Sequence, residues 1–154
     1  MAETTVDTTK LKHHPYLTSI DDTIVGPSKE APSIEADTEL HECLIYENGG
    51  KEAVASYLAK NNNTITLNVM DIDWAIALLA EFKVGDDVYA ASRKKTITFT
   101  PIVGEGATEK TLAFTNCYLQ PGLSYTPTSG ECLTAKLVFK ALPDPTTKKT
   151  FTYV

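Results

Sequence analysis

The chain has 154 residues, 42% apolar and 22% charged, with a formal net charge of −6. That length suggests one domain, able to bury about two-thirds of the surface its unfolded form exposes. The acidic balance argues against a surface that grips phosphates, which Lys and Arg must neutralise. An acidic wall repels DNA, so the balance fits a passage through which DNA slides without sticking and mere solubility equally well.

Residues 1–38 are polar and poorly periodic. They read as an extended N-terminal arm or long loop with at most short strands, ahead of a single domain over 39–154. The opening MAETTVDTTK has no apolar core, so it does not read as a secretion signal. The longest apolar run, WAIALLA, is too short for a membrane span. The expectation is a protein made in the host cytoplasm, with no membrane partner and with Cys43, Cys117 and Cys132 as free thiols.

ELHECLIY and KEAVASYLA flank the turn signal Asn48-Gly49 and predict a hairpin. The run NNN at residues 61–63 reads as a second turn. TITLNV then alternates cleanly, with Ile65, Leu67 and Val69 on one face and Thr64, Thr66 and Asn68 on the other. MDIDWAIALLAEFKVG predicts one helix, over about 71–82. Asp71 is its cap and Gly85 a plausible stop. Trp74, Leu78 and Phe82 recur every four residues on a wide apolar arc, which suits a sheet or another subunit.

KTITFTPI, KTLAFTNCYL, CLTAKLVFKAL and KTFTYV read as further strands. One helix among so many strands predicts a mainly β fold: an antiparallel β-sandwich or barrel with one flanking α-helix. Phe151 and Tyr153 share a face. Their strand completes a sheet edge, within the subunit or across to a neighbour. Removing residues 145–154 is expected at this level to harm assembly more than the isolated fold.

Chemistry is thin. His13 and His14 lie in the polar arm. His41 and Cys43 share a strand face but lack companions for a metal site. Asp21-Asp22 and Asp86-Asp87 read as turn chemistry rather than a calcium loop. No nucleophile elbow, phosphate loop or dinucleotide fingerprint occurs. The expectation is no catalytic residue, no cofactor and no metal.

The order of the elements carries a resemblance over about residues 35–154. It runs from the hairpin ECLIYENGGKEAVASYLA to the strand and helix TITLNVMDIDWAIALLAEF. KKTITFTPI, KTLAFTNCYLQPG and LTAKLVFKALPD follow. This series resembles the tail tube proteins of tailed bacteriophages, whose fold the tubes of contractile secretion machines share. The resemblance implies a virion structural protein, the major tail tube subunit. It implies hexameric rings stacked into a conduit for genomic DNA, which passes without specific binding. It also implies tape-measure, terminator and baseplate proteins as neighbours. Trp74, Leu78, Phe82, Phe151 and Tyr153 are the candidate subunit-interface or core-docking residues. The competing readings are another virion component (terminator, connector or decoration protein) and a monomeric small-ligand-binding barrel.

Overall fold

A computed structural model describes residues 16–26, 31–44, 46–50, 53–102, 110–125 and 133–154. The strands are β1 (Tyr16–Ile20), β2 (Thr23–Ile24), β3 (Ser33–Leu44), β4 (Ala53–Val69), β5 (Lys95–Pro101), β6 (Leu112–Leu119), β7 (Ala135–Ala141) and β8 (Thr152–Tyr153). One helix, α1 (Ile72–Ala80), lies between β4 and β5 in the chain. All eight strands form one antiparallel sheet in the order β2-β1-β5-β6-β7-β4-β3, with β8 beside β6. The mainly antiparallel expectation holds. The layering is that of an open sheet rather than a sandwich or closed barrel, because β2 and β3 end it without pairing with each other.

The core follows from alternation. Ile65, Leu67 and Val69 on β4, Leu137 and Phe139 on β7, and Ile97 and Phe99 on β5 are buried on one face. Helix α1 adds buried Ala75 and Leu79, four residues apart on its inner side. The Trp74 N–H donates to Asp71 Oδ1 at 3.3 Å, so the N-cap is the residue the sequence marks. The helix stops at Ala80, before Gly85. The Phe82 N–H tightens onto the Leu79 carbonyl, and the Lys83 N–H donates to Asp86 Oδ2 at 2.9 Å. Gly85, at φ 99°, serves the following turn instead.

Part of the stretch read as an arm is sheet. β1 pairs with β5 from Tyr16↔Pro101 to Ile20↔Ile97, β2 pairs with β1, and β3 begins at Ser33. Ile20 and Val25 belong to the core. Residues 1–15 lie outside the described residues.

The β1–β2 turn places Asp21 at φ 49° and Asp22 at φ 64°. Two positive φ values fit a right-twisted two-residue hairpin but strain a residue with a Cβ. Asp21 has a compensation: its Oδ1 accepts the Thr96 N–H at 2.8 Å. Asp22 has none of this kind. Asp22→Gly is therefore expected to stabilise the chain by up to about 1 kcal/mol. The check is a higher urea midpoint at unchanged slope.

Residues 61–63 are not a turn. They lie inside β4, with Asn61↔Thr38 and Asn63↔Ala36 on the β3 side and Asn63↔Ala141 on the β7 side. The β3 ladder along all three residues, joined by the β7 ladder at Asn63, outweighs the turn preference of Asn. The Asn63 amide also donates to the Glu35 carbonyl at 3.3 Å.

β6 is shared between two partners on one side. Cys117, Tyr118 and Leu119 pair with β7, whereas Leu112 and Ala113 pair with β8. The β5 register also slips, from Ile97↔Phe114 to Lys95↔Cys117. This bulge lets Phe114 and Cys117 both face the core despite their odd spacing. At the break, Asn116 donates from Nδ2 to the Pro143 carbonyl at 3.0 Å and accepts the Leu142 N–H at 2.9 Å.

Candidate self-association surface

The hairpin predicted around Asn48-Gly49 is present and long. Gly49 and Gly50 carry the positive φ, at 74° and 70°. β7 covers β4 only from Asn63 onward, so the part of the hairpin from residue 62 back to the tip has no third strand. It leaves the sheet as a two-stranded ribbon. Such ribbons are marginal alone in water and gain from a covering partner.

The ribbon is rich in exposed apolar side chains. Leu40, Leu44 and Leu58 are 59%, 56% and 56% exposed, and Tyr46 at the tip is 95% exposed. Leu40 pairs with Leu58 and Glu42 with Ser56, so Leu40, Glu42, Leu44 and Leu58 share one face. By alternation this face continues the core face of the sheet outward from Ile34. His41, Cys43 and Tyr57 lie on the opposite face, all exposed. Cys43 is thus an exposed thiol.

The outer edge of β3 offers a twelve-residue run with no neighbouring strand among the described residues. It contains no Pro or Lys, two common guards of an open edge. Glu35, Asp37 and Glu39 share its polar face. Asp37 Oδ2 lies 2.8 Å from Lys60 Nζ, and this pairing holds the Asp37 carboxyl below its ordinary range and the Lys60 ammonium above its own. The same sheet face carries Thr64, Thr66 and Asn68 of β4 opposite Lys140, Val138 and Lys136 of β7.

The five residues singled out by sequence divide. Trp74, Leu78 and Phe82 are partly buried and packed against the core. Phe82 is also covered by the Arg93 guanidinium, 4.2 Å from its ring centroid. Phe151 and Tyr153 are half-exposed. The Phe151 ring lies 5.8 Å from that of Phe114, and Lys110 Nζ sits 5.6 Å from the Tyr153 ring. Their strand completes a sheet within its own subunit, since β8 pairs with β6 of the same chain.

Sequence reading missed the groove below α1. About 490 Å³ of open, mainly apolar space lies between the segment that follows the helix and the turn at 121–123. Val84 and Leu123 stand exposed at it. The groove is made of residues distant in sequence, which local patterning does not bring together.

No cluster of three His, Cys, Asp or Glu converges as a metal site among the described residues. Among those residues no helix is long and apolar enough to cross a membrane. Cys117 is buried, and burial pushes its thiol up to about 12. In a Cys132→Ser background, a thiol reagent is expected to modify Cys43 in the native state and Cys117 only on unfolding. Two thiols titrating natively would mean that the core opens around Cys117.

No family model and no curated protein matches the chain. Its fold matches the cryo-EM structure of the anti-feeding prophage cap, described as the tube terminating cap of that particle. The TM-score is 0.60 at 13% identity, over 99% of this chain and 95% of that one. At that identity the likeness is one of fold.

Proposed function

We propose that the chain is a non-catalytic structural subunit of a phage-tail-like tube. Its copies associate into hexameric rings that stack as the body of a conduit for DNA. The observation that carries this is the β3 edge, unpaired among the described residues, with its apolar ribbon, an adhesive surface that a solitary protein would have to cover. The polar sheet face then lines the lumen. There Glu35, Asp37 and Glu39 balance Lys60, Lys136 and Lys140, so DNA passes a near-neutral wall rather than a repelling one. Tape-measure and baseplate proteins are the neighbours such a tube would have, and the particle itself is where the chain works.

A second reading is favoured by one finding. The structural neighbour is a cap that terminates its tube, and the likeness spans nearly the whole of both chains. In that reading the same ring forms once and closes the end of a tube made by another protein.

Negative-stain electron microscopy of the concentrated protein separates the readings. Stacked tubes with a central hole support the tube body. Discrete rings that do not stack support the terminating ring. Compact monomers at every concentration would sink both.

A further inference from the structure

Asn48 and Gly49 meet at the tip of the β3–β4 ribbon, and their reactivity serves none of the roles described above. Asparagine is among the labile side chains. Every other asparagine lies in a strand: Asn61, Asn62, Asn63 and Asn68 in β4, and Asn116 in β6. There the residue that follows belongs to a ladder and is held extended. Asn48 alone is followed by glycine, and it alone lies outside the strands.

The tip is open. Among the described residues the last ladder pair before it is Leu44↔Ala53, and no third strand flanks that pair. Tyr46 is 95% exposed and Gly49 is exposed. A Cβ built on Gly50 would have no atom beyond its chain neighbours within 4 Å. The Gly49 N–H donates to the Tyr46 carbonyl at 2.9 Å, which restrains its nitrogen while the tip is closed. A two-stranded ribbon is marginal by itself, and its free end opens at little cost.

We propose that Asn48 is a site of self-modification, converted to aspartate or isoaspartate by the Gly49 backbone nitrogen when the tip opens. Glycine permits this because no side chain crowds its nitrogen and its backbone turns freely. The nitrogen bonds to the side-chain carbonyl carbon of Asn48. The bond from that carbon to the side-chain amine breaks, and ammonia leaves with the proton that the Gly49 nitrogen gives up. A cyclic imide remains. Water then opens it, at the side-chain carbonyl to give aspartate or at the main-chain carbonyl to give isoaspartate. Water is consumed, ammonia is released and nothing is oxidised. Either product places a new carboxylate beside Glu47. Isoaspartate also adds a methylene to the main chain, so the turn no longer closes as before.

The test follows the full chain, incubated native and in urea, by peptide mapping. The peptide carrying Asn48 is expected to gain the small mass of an amide becoming an acid, and to become a substrate for isoaspartyl methyltransferase. Its native rate should lie within about tenfold of its rate in urea, since the tip opens readily. Peptides carrying the strand asparagines should stay unchanged in the native chain. Asn48→Gln is expected to remove the acidic product, because its longer side chain would have to close a larger ring. A native chain that stays intact at Asn48 while the urea-treated chain converts would overturn the proposal, by showing that the Gly49–Tyr46 bond keeps the tip shut. Conversion appearing first at a strand asparagine would overturn it too.

Discussion

Phe114→Ala is expected to destabilise the chain by about 3–5 kcal/mol, the usual range for emptying a buried aromatic site. Phe114 is 1% exposed. It meets the Phe99 ring edge-on at 6.2 Å and 89° and the Phe151 ring at 5.8 Å. Its partner across the β5–β6 ladder is Ile97, which is fully buried. The cavity would be walled by strand residues held on both sides by hydrogen bonds, so collapse would relieve little of it. Marginal domains hold only about 5–15 kcal/mol in total, so the variant would lie close to unfolding at ambient temperature. Urea denaturation measures the loss. A change below about 1 kcal/mol would mean that the site is not tightly packed.

Removing residues 145–154 is expected to damage the isolated fold first, which reverses the ranking drawn from sequence. The closing segment is built into its own subunit. The Thr150 hydroxyl is buried and donates to the Asn61 carbonyl. Thr111 and Val154 exchange backbone hydrogen bonds at 2.7 and 3.1 Å. Phe151 lies against Phe114. At about 1 kcal/mol for each net hydrogen bond and a similar amount for the ring pair, the truncation costs at least about 3 kcal/mol. Thr150→Val isolates one part of this. It keeps the shape, strands the Asn61 carbonyl and should cost about 1–3 kcal/mol. A truncated chain that melts like wild type but fails to assemble would restore the earlier ranking.

The same segment carries a pH dependence. Asp144 Oδ1 accepts the N–H groups of Thr146 at 2.8 Å and Thr147 at 3.3 Å, and these bonds hold its carboxyl below the ordinary 3.8. A depressed carboxylate contributes fully above its unfolded value, and the contribution fades as pH falls through the folded one. Amide protection in β8 should therefore decline as the pH drops below 3.8.

What the sequence revealed was what alternation and capping encode locally. The core faces of β4, β5 and β7 and the start of α1 follow from period-2 patterning and from Asp71. Other features arise from partners distant in sequence. Residues 61–63 look like a turn until two ladders claim them. The bulge in β6 leaves no mark in KTLAFTNCYL. β1 and β2 are too polar and short to stand out. Around α1 the eye falls on Trp74 and Leu78, and on Phe82 just past its end, yet small Ala75 is the helix residue completely buried. The hairpin was legible from its turn, but the exposure of its face and the groove were not, because exposure is a property of what fails to cover a side chain.

The acids of β3 carry one more implication, about symmetry. Suppose two copies paired through this edge about a twofold axis, strand antiparallel to strand. Centred on Asp37, that axis would set Asp37 against itself and Glu35 against Glu39. Centred one residue on, it would set Asp37 against Glu39. Like charges directly opposite destabilise a strand pair. The edge therefore discourages an isologous dimer in these registers, and heterologous joining avoids them. Such joining either closes as a cycle or continues as a helix, according to the rotation between neighbours.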